Sequence, residues 1–562
     1  MKLSSGARAV AVSILVCAST AVFTLTGRSA AAAVEKSNFV SVASLLRAPL
    51  VRLGDRAVPP PGAKAIGALA PAHLMRLAIA FEPRLPAALE TYATAVNTPG
   101  SPSFAHFVTP TQFRERFGPS QATIASVQMV LRAEGFTVSP PSRNGLIMPV
   151  SAPVSVVDRV LRITEDSFRR ADGTLGWAAT TAPMVQAPIA RDITAILGLD
   201  DLLGPHSFLE RPPRRAAGAA HSGVTMAPGL SRFSSGKQMT DGGPNACAAA
   251  ASGASAGGGW TFNQLAAAYG VDGLYSHGAL GQGETIALFE LEPFETSDIG
   301  TFDSCYFGAA TAAAMLQRLR VIKVDGGVPP GPGSGEAALD VEDISALAPR
   351  ATIDVYEAPS STIGTEYATD DIYNAIVNAD TATVISTSWG LCEPALQIAA
   401  PGAQEVENEI FEEAAVQGQS VFAAAGDSGS NDCSTGATPA QPVLAVDDPA
   451  SQPFVIGVGG TSLTSVTQPP VETVWNDGRS GGGGGGGISD TWPSPGWQAN
   501  SGVQGVLNSY SGSSSYAFCA PAASAPTVTA PPSPPLCREV PDVTIDANED
   551  TGTSFYQSSS GG

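Results

Sequence analysis

Glu336 and Asp340 stand four residues apart in GEAALDVEDISALAP, a segment of good helix formers with apolar residues at Leu339, Ile344 and Leu347. Helical spacing projects both carboxylates from one face, one turn apart. Like charges so placed repel. A fold tolerates that cost more readily where one carboxyl must stay protonated or accept a proton, as a general base and its supporting acid do. The same spacing fits a solvated acidic helix face, which is the commoner use of charge pairs. A third carboxyl, Asp427, follows the apolar run SVFAAA within Gly426-Asp427-Ser428-Gly429, where an N-cap or turn role is the alternative. The five histidines are His73, His106, His206, His221 and His277. Four precede residue 241 and His277 lies in the loop-like YSHGALGQG, so a Ser-His-Asp triad has almost no material and a carboxylate base remains. With an ordinary pKa of about 4.3, a glutamate acts as acid and base near its own pKa only in acidic solution.

The surrounding pattern predicts the elements that hold these groups. TIDVY, TVISTS ending at Trp389-Gly390, and SVFAAA read as strands, separated by the helix-like YATDDIYNAIVNA and VENEIFEEAAVQG. Strands alternating with helices of this length predict a parallel, doubly wound α/β sheet whose ligands sit beyond the carboxyl ends of its strands. Trp389 and Asp427 fall at such ends.

GEAALDVEDISALAP, VISTSWG, AAAGDSGS, PASQPFVIGVGGTSL, ETVWN, GGGGGGISDTWPSPGWQ and REVPDV resemble, in order, the motif series of the sedolisins, the serine-carboxyl peptidases with a subtilisin-like fold. The resemblance covers most of the chain. It implies that Glu336 is the general base for a serine, that Asp340 orients and supports it, and that Asp427 is the acid that stabilises the oxyanion. Glu290, in IALFELEPFE, and Trp389 match positions that extend the hydrogen-bond network behind the base. An aspartic acid in an oxyanion hole must be protonated to donate a hydrogen bond, which again points to acid pH.

The family's nucleophile lies in a G-T-S-x-x-x-P motif after the REVPDV segment, and residue 562 falls about twenty positions past Asp542. Gly460-Thr461-Ser462 and Gly552-Thr553-Ser554 both lack proline four positions after the serine, so the resemblance assigns no nucleophile within the given residues. The family's calcium-binding loops also lie beyond the nucleophile. Ca2+ is therefore expected from the family, with its binding loops outside this sequence, and the sheet is expected to be incomplete at its C-terminal end.

Composition places the rest of the chain. At 562 residues, 43% hydrophobic and 14% charged, it is long enough for more than one large core. Lys2 and Arg8, the apolar run from Ala9 to about Leu25, and small residues from Ser29 to Ala33 predict a secretory signal peptide over residues 1–33, with an uncleaved anchor as the alternative. Cys247, Cys305, Cys392, Cys433, Cys519 and Cys537 contain no CxxC pair and no histidine partner, so disulfides are expected rather than zinc. Pairing neighbours in sequence gives 247 with 305, 392 with 433 and 519 with 537. Residues 45–203 read as an α+β unit whose SPSFAHFVTPTQFRERF and RAEGFTV resemble the activation domain ahead of sedolisin catalytic domains. Residues 204–240 read as a linker and processing region with Arg214 or Arg215 as a cut site, and 241–562 as the peptidase domain. The Gly481–Gly487 run lacks the Lys-Ser/Thr of a phosphate loop and reads as flexible loop; Ser509 to Pro535 reads as an insertion.

Charge divides at the same boundary. Residues 1–240 carry 24 basic and 14 acidic side chains, residues 241–562 carry 6 and 37, for a chain total of −21. A basic leader on an acidic body predicts docking near neutral pH that weakens as carboxylates protonate. So acidic a body is a poor nucleic-acid partner. Two functions of different class follow. One is a secreted, monomeric, acid-acting peptidase zymogen whose prodomain is its intramolecular inhibitor and whose substrates are polypeptides. The other is a catalytically inactive relative that binds peptides.

Overall fold

The computed structural model describes residues 41–171, 173–207, 239–359, 365–433, 444–478, 482–499 and 537–560. The signal peptide, Arg214 and Arg215, Cys519 and the 509–535 insertion lie outside the described residues. Residues Val42 to Gly562 cluster as one unit, so the N-terminal domain and the parallel-sheet domain pack on each other.

The N-terminal domain is α+β. Its sheet has strands β1 (Leu74–Phe81), β2 (Thr137–Val138), β3 (Ile147–Pro153) and β4 (Ile193–Leu197) in the spatial order β2-β3-β1-β4, all neighbours antiparallel. Between β1 and β2 run helices α1 (Pro86–Asn97) and α2 (Gln121–Glu134). Alternation along β1 explains the layering: Met75, Leu77, Ile79 and Phe81 face the domain's own core with Val127 and Leu131 of α2. Ala78 and Ala80, with Ala195 on β4, face the other way into a core shared with the second domain. Alanine on that face lets two helices approach the sheet closely.

The second domain carries β5 (Thr285–Glu290), β6 (Leu319–Lys323), α3 (Glu336–Leu347), β7 (Thr352–Glu357), α4 (Thr365–Ala379), β8 (Val384–Thr387), β9 (Trp389–Cys392), α5 (Ala403–Gln417), β10 (Ser420–Ala424), β11 (Asp447–Asp448), β12 (Val455–Ser465), β13 (Val471–Val474), β14 (Gly487–Pro493), β15 (Cys537–Val540) and β16 (Val543–Asp546). The main sheet runs β6-β7-β5-β8-β10-β12-β13, with β16 beside β12. All pairings from β6 through β12 are parallel, and β13 alone runs antiparallel. Both faces are buried, as apolar parallel strands require. Ala287 and Phe289 of β5 pack with Tyr373 of α4 and Phe411 of α5, while Leu288 packs with Ala337 and Val341 of α3. The winding reverses beside β5, which places a ligand crevice at the carboxyl ends of β5, β7 and β8.

One expected strand is two. The TVISTS run ends at Thr387, and Trp389–Cys392 forms a separate short strand that leaves the main sheet to pair with β11 and with His206–Ser207. The bond from Trp389 N–H to Thr387 Oγ1, 3.2 Å, marks the break. Cys247 is bonded to Cys305 and Cys392 to Cys433; Cys537 is also disulfide-bonded.

The docking surface does not follow the charge argument. Asn144 donates to Asn374 Oδ1 (2.8 Å) and to Glu413 Oε2 (2.6 Å), its N–H donates to Asn378 Oδ1 (2.8 Å), and Thr194 Oγ1 donates to Glu409 Oε1 (2.7 Å). Backbone acceptors at the end of α5 take up Asn97 Nδ2 at Ala415 and Val108 N–H at Val416. The interface is apolar core plus buried carboxyls and amides. Burial and the charge of Glu90 hold Glu412 well above the usual carboxylate range, and burial pushes Glu413 up to about 8. Among the described residues, Arg143 acts on Glu413 and Asp380, and Arg76 on Asp325.

Candidate active site

Glu336 opens α3, and it is buried, 3% exposed. Asp340, one turn further on, accepts the Ser388 hydroxyl at 2.9 Å on both carboxylate oxygens. Ser388 occupies the break between β8 and β9, so the interruption of the strand is what aims its side chain at the helix. Glu290 ends β5 fully buried and accepts the Trp389 indole N–H at 2.9 Å. Its carboxyl also interacts with that of Asp340, and its Oε1 meets no hydrogen-bond donor.

The electrostatics of this group are set by burial. Burial, then the charge of Asp340, holds Glu290 well above the usual carboxylate range, with the Trp389 N–H acting the other way and the charge of Glu336 adding to the rise. Burial pushes Asp340 up to about 6, opposed by the Ser388 hydroxyl and the Glu290 carboxyl, while the charge of Glu292 raises it further. Burial therefore favours a proton on Glu290, the more strongly raised of the two. A proton-bearing carboxyl pair lies one turn from Glu336. The solvated-face alternative for α3 does not describe it: Glu342 is also buried and accepts the Tyr556 N–H at 2.7 Å, and burial pushes Asp343 up to about 8.

Asp427 lies half-buried just past β10, two strands from β5. Its carbonyl accepts the Gly483 N–H (2.8 Å), Gly429 N–H donates to the Gly483 carbonyl (2.9 Å), and Gly485 N–H donates to the Gly426 carbonyl (2.7 Å). The described part of the glycine run is therefore laid against the Asp427 turn by backbone hydrogen bonds, which corrects the flexible-loop expectation. Glycine is required for contact: a Cβ on Gly485 would run into the Ala425 carbonyl. Behind the turn, Asp432 Oδ1 accepts the Ser428 N–H at 2.9 Å, and the Cys392–Cys433 disulfide ties the residue after Asp432 to β9.

Of the two GTS serines, Ser462 is buried and accepts Asn548 Nδ2 at 2.8 Å, and Ser554 lies in the segment whose Gly552 carbonyl accepts the Trp260 N–H. Among the described residues, no group of three or more His, Cys, Asp or Glu is arranged to hold a metal, and no helix is long and apolar enough to cross a membrane. Ser388 and Glu292 are two further residues of the site whose roles no motif in the sequence marks, since Ser388 sits at a strand break and Glu292 in the bend after β5.

A doubly wound α/β domain with buried carboxyls at its switch point, preceded by an α+β domain docked on two of its helices, defines the class. Residues 61–202 match the family model "Pro-kumamolisin, activation domain". Xanthomonalisin of Xanthomonas sp. (strain T-22) is 30% identical over 438 residues, 74% of this chain and 49% of that protein. Kumamolisin of Bacillus sp. (strain MN-32) is 31% identical over 417 residues, 71% of this chain and 65% of that protein. The solved structure of Pseudomonas sedolisin, a serine-carboxyl proteinase complexed with two molecules of pseudo-iodotyrostatin, is 24% identical with a TM-score of 0.40, covering 53% of this chain and 73% of that one. The chain spans about half to two thirds of the length of these two curated relatives. These similarities support a sedolisin-family precursor with an activation domain.

Proposed function

We propose that the protein is an exported, acid-acting serine-type peptidase precursor that hydrolyses polypeptides. The observation that carries the reading is the Glu290–Asp340 carboxyl pair, held by Trp389 and Ser388 one turn from Glu336 at the sheet's switch point. Glu336 takes the serine's proton, Asp340 orients Glu336, and Glu290 keeps the proton that holds Asp340 in place. Asp427, protonated in acid, donates to the developing oxyanion. Supporting the zymogen reading, His206–Ser207, in the linker just past the activation domain, pairs antiparallel with Trp389–Gly390, so the chain's own segment lies where an extended peptide substrate would add a strand.

The test begins by reading the coding frame past Gly562 for a G-T-S-x-x-x-P segment. The protein carrying it is then incubated at about pH 4 and about pH 7, beside Glu336→Ala and Asp427→Ala. Self-processing in acid is expected of the parent, and both variants should be secreted but unprocessed. Processing retained in both variants removes these roles. A stop codon at that point, with peptide still bound, favours the inactive peptide-binding relative.

A further inference from the structure

The segment that delivers Glu290 to Asp340 makes a second contact with the same helix. Two residues further on, Glu292 accepts three backbone N–H groups at the start of α3: Ser334 at 2.5 Å on Oε2, and Gly335 at 3.0 Å and Ala337 at 3.2 Å on Oε1. The first N–H groups of a helix lack intrahelical acceptors, and a carboxylate there also complements the positive end of the helix dipole. Gly335, the N-cap residue, has no side chain with which to cap the helix, so Glu292 supplies the cap from another element. The approach is close, since a Cβ on Gly333 would meet the Glu292 carboxyl at 3.0 Å.

We infer that Glu292 is a positioning residue: from the end of β5 it clamps the first turn of α3 and so fixes the direction in which Glu336 projects. The inference rests on the reading of Glu336 as the base. Glu292 lies in the bend that follows β5, and from there the three residues 290–292 meet the helix at two points, its N-terminus and Asp340. Glu292 also has an electrostatic effect that a neutral cap would lack, because its charge raises the carboxyl of Asp340.

The clamp is tested in the full chain by amide hydrogen exchange of residues 334–340 in the parent, Glu292→Ala and Glu292→Gln. Exchange at Gly335 and Ala337 should quicken by about tenfold or more in Glu292→Ala, the loss expected for one well-made cap, and should be largely restored in Glu292→Gln, which keeps the acceptor oxygen. The charge is tested by the pH titration of Trp389 fluorescence, taken as the difference from Trp389→Phe. In Glu292→Gln its midpoint should move to lower pH, because Asp340 then ionises without a neighbouring negative charge. Unchanged exchange in Glu292→Ala, or an unmoved midpoint in Glu292→Gln, overturns the assignment. Neither readout needs peptidase activity, so the clamp can fail while Glu336 remains the base, and Glu336 can fail as base while the clamp stands.

Discussion

Two sets of buried carboxyls face each other across the sheet of this protein, and they are satisfied in opposite ways. Glu290 and Asp340 draw their partners from their own domain, the Trp389 indole and the Ser388 hydroxyl. Glu409, Glu412 and Glu413 on α5 lie under the activation domain, and two of them are bonded to it through Thr194 and Asn144. Burial raises every one of these carboxyls. The raised state at the site is built into the fold. At the docking face the activation domain acts both ways: the charges of Glu82 and Glu90 add to the rise at Glu409 and Glu412, while Thr194 and Asn144 oppose it at Glu409 and Glu413.

The sign of the pH effect follows. A carboxyl raised in the docked state and ordinary in the undocked state takes up a proton on docking, so its contribution is fully present below about pH 4.5 and is lost as pH rises. For Glu413 the window runs up to about 8. A carboxyl whose burial is completed by the activation domain would strengthen docking in acid, opposite in sign to the expectation from net charge. Release in acid then depends on cutting the linker rather than on electrostatic repulsion alone.

The sharpest way to break the comparison is Asn144→Ala. It removes the side-chain bonds to Glu413 and Asn374 while the backbone bond to Asn378 stays, and losing bonds to buried polar groups costs about 1–3 kcal/mol each. A loss of about 3 kcal/mol is expected in denaturant unfolding of the activation domain at neutral pH. A loss under about 0.5 kcal/mol would mean the face is not held by these bonds. Glu412→Gln should have a smaller effect of the opposite sign: it removes the need to protonate a buried acid beside Glu90 and stabilises the full chain by about 1–2 kcal/mol near pH 7, a gain that disappears near pH 4. Equal gain at both pH values would show that Glu412 does not titrate with docking. The smallest change is Trp389→Phe, which loses the bond to Glu290 at a cost of about 1 kcal/mol. That loss should be the same whether or not the activation domain is attached. Dependence on the activation domain would show that the site is not self-contained.

The residues themselves determined a good deal. Alternation of apolar strands with helices of 10 to 15 residues, each long and periodic, fixes a parallel sheet because local pattern and burial agree there. The four-residue spacing of Glu336 and Asp340 could be read for the same reason, since helical geometry converts it directly into one face. The glycine run could not: seven glycines carry no periodicity, and only the packed turn at Asp427 shows that their missing side chains admit backbone contact. The break at Ser388 was equally silent, because TVISTSWG is β-prone throughout and its division is decided by which neighbours each half pairs with. Docking electrostatics could not be read from the composition, because net charge sums every side chain while the interface weighs only those it desolvates. The sequence by itself determined which groups exist and which face of a helix or strand they share. The tertiary structure alone decided which of them lose water together, and burial, more than spacing, sets whether a carboxyl keeps its proton.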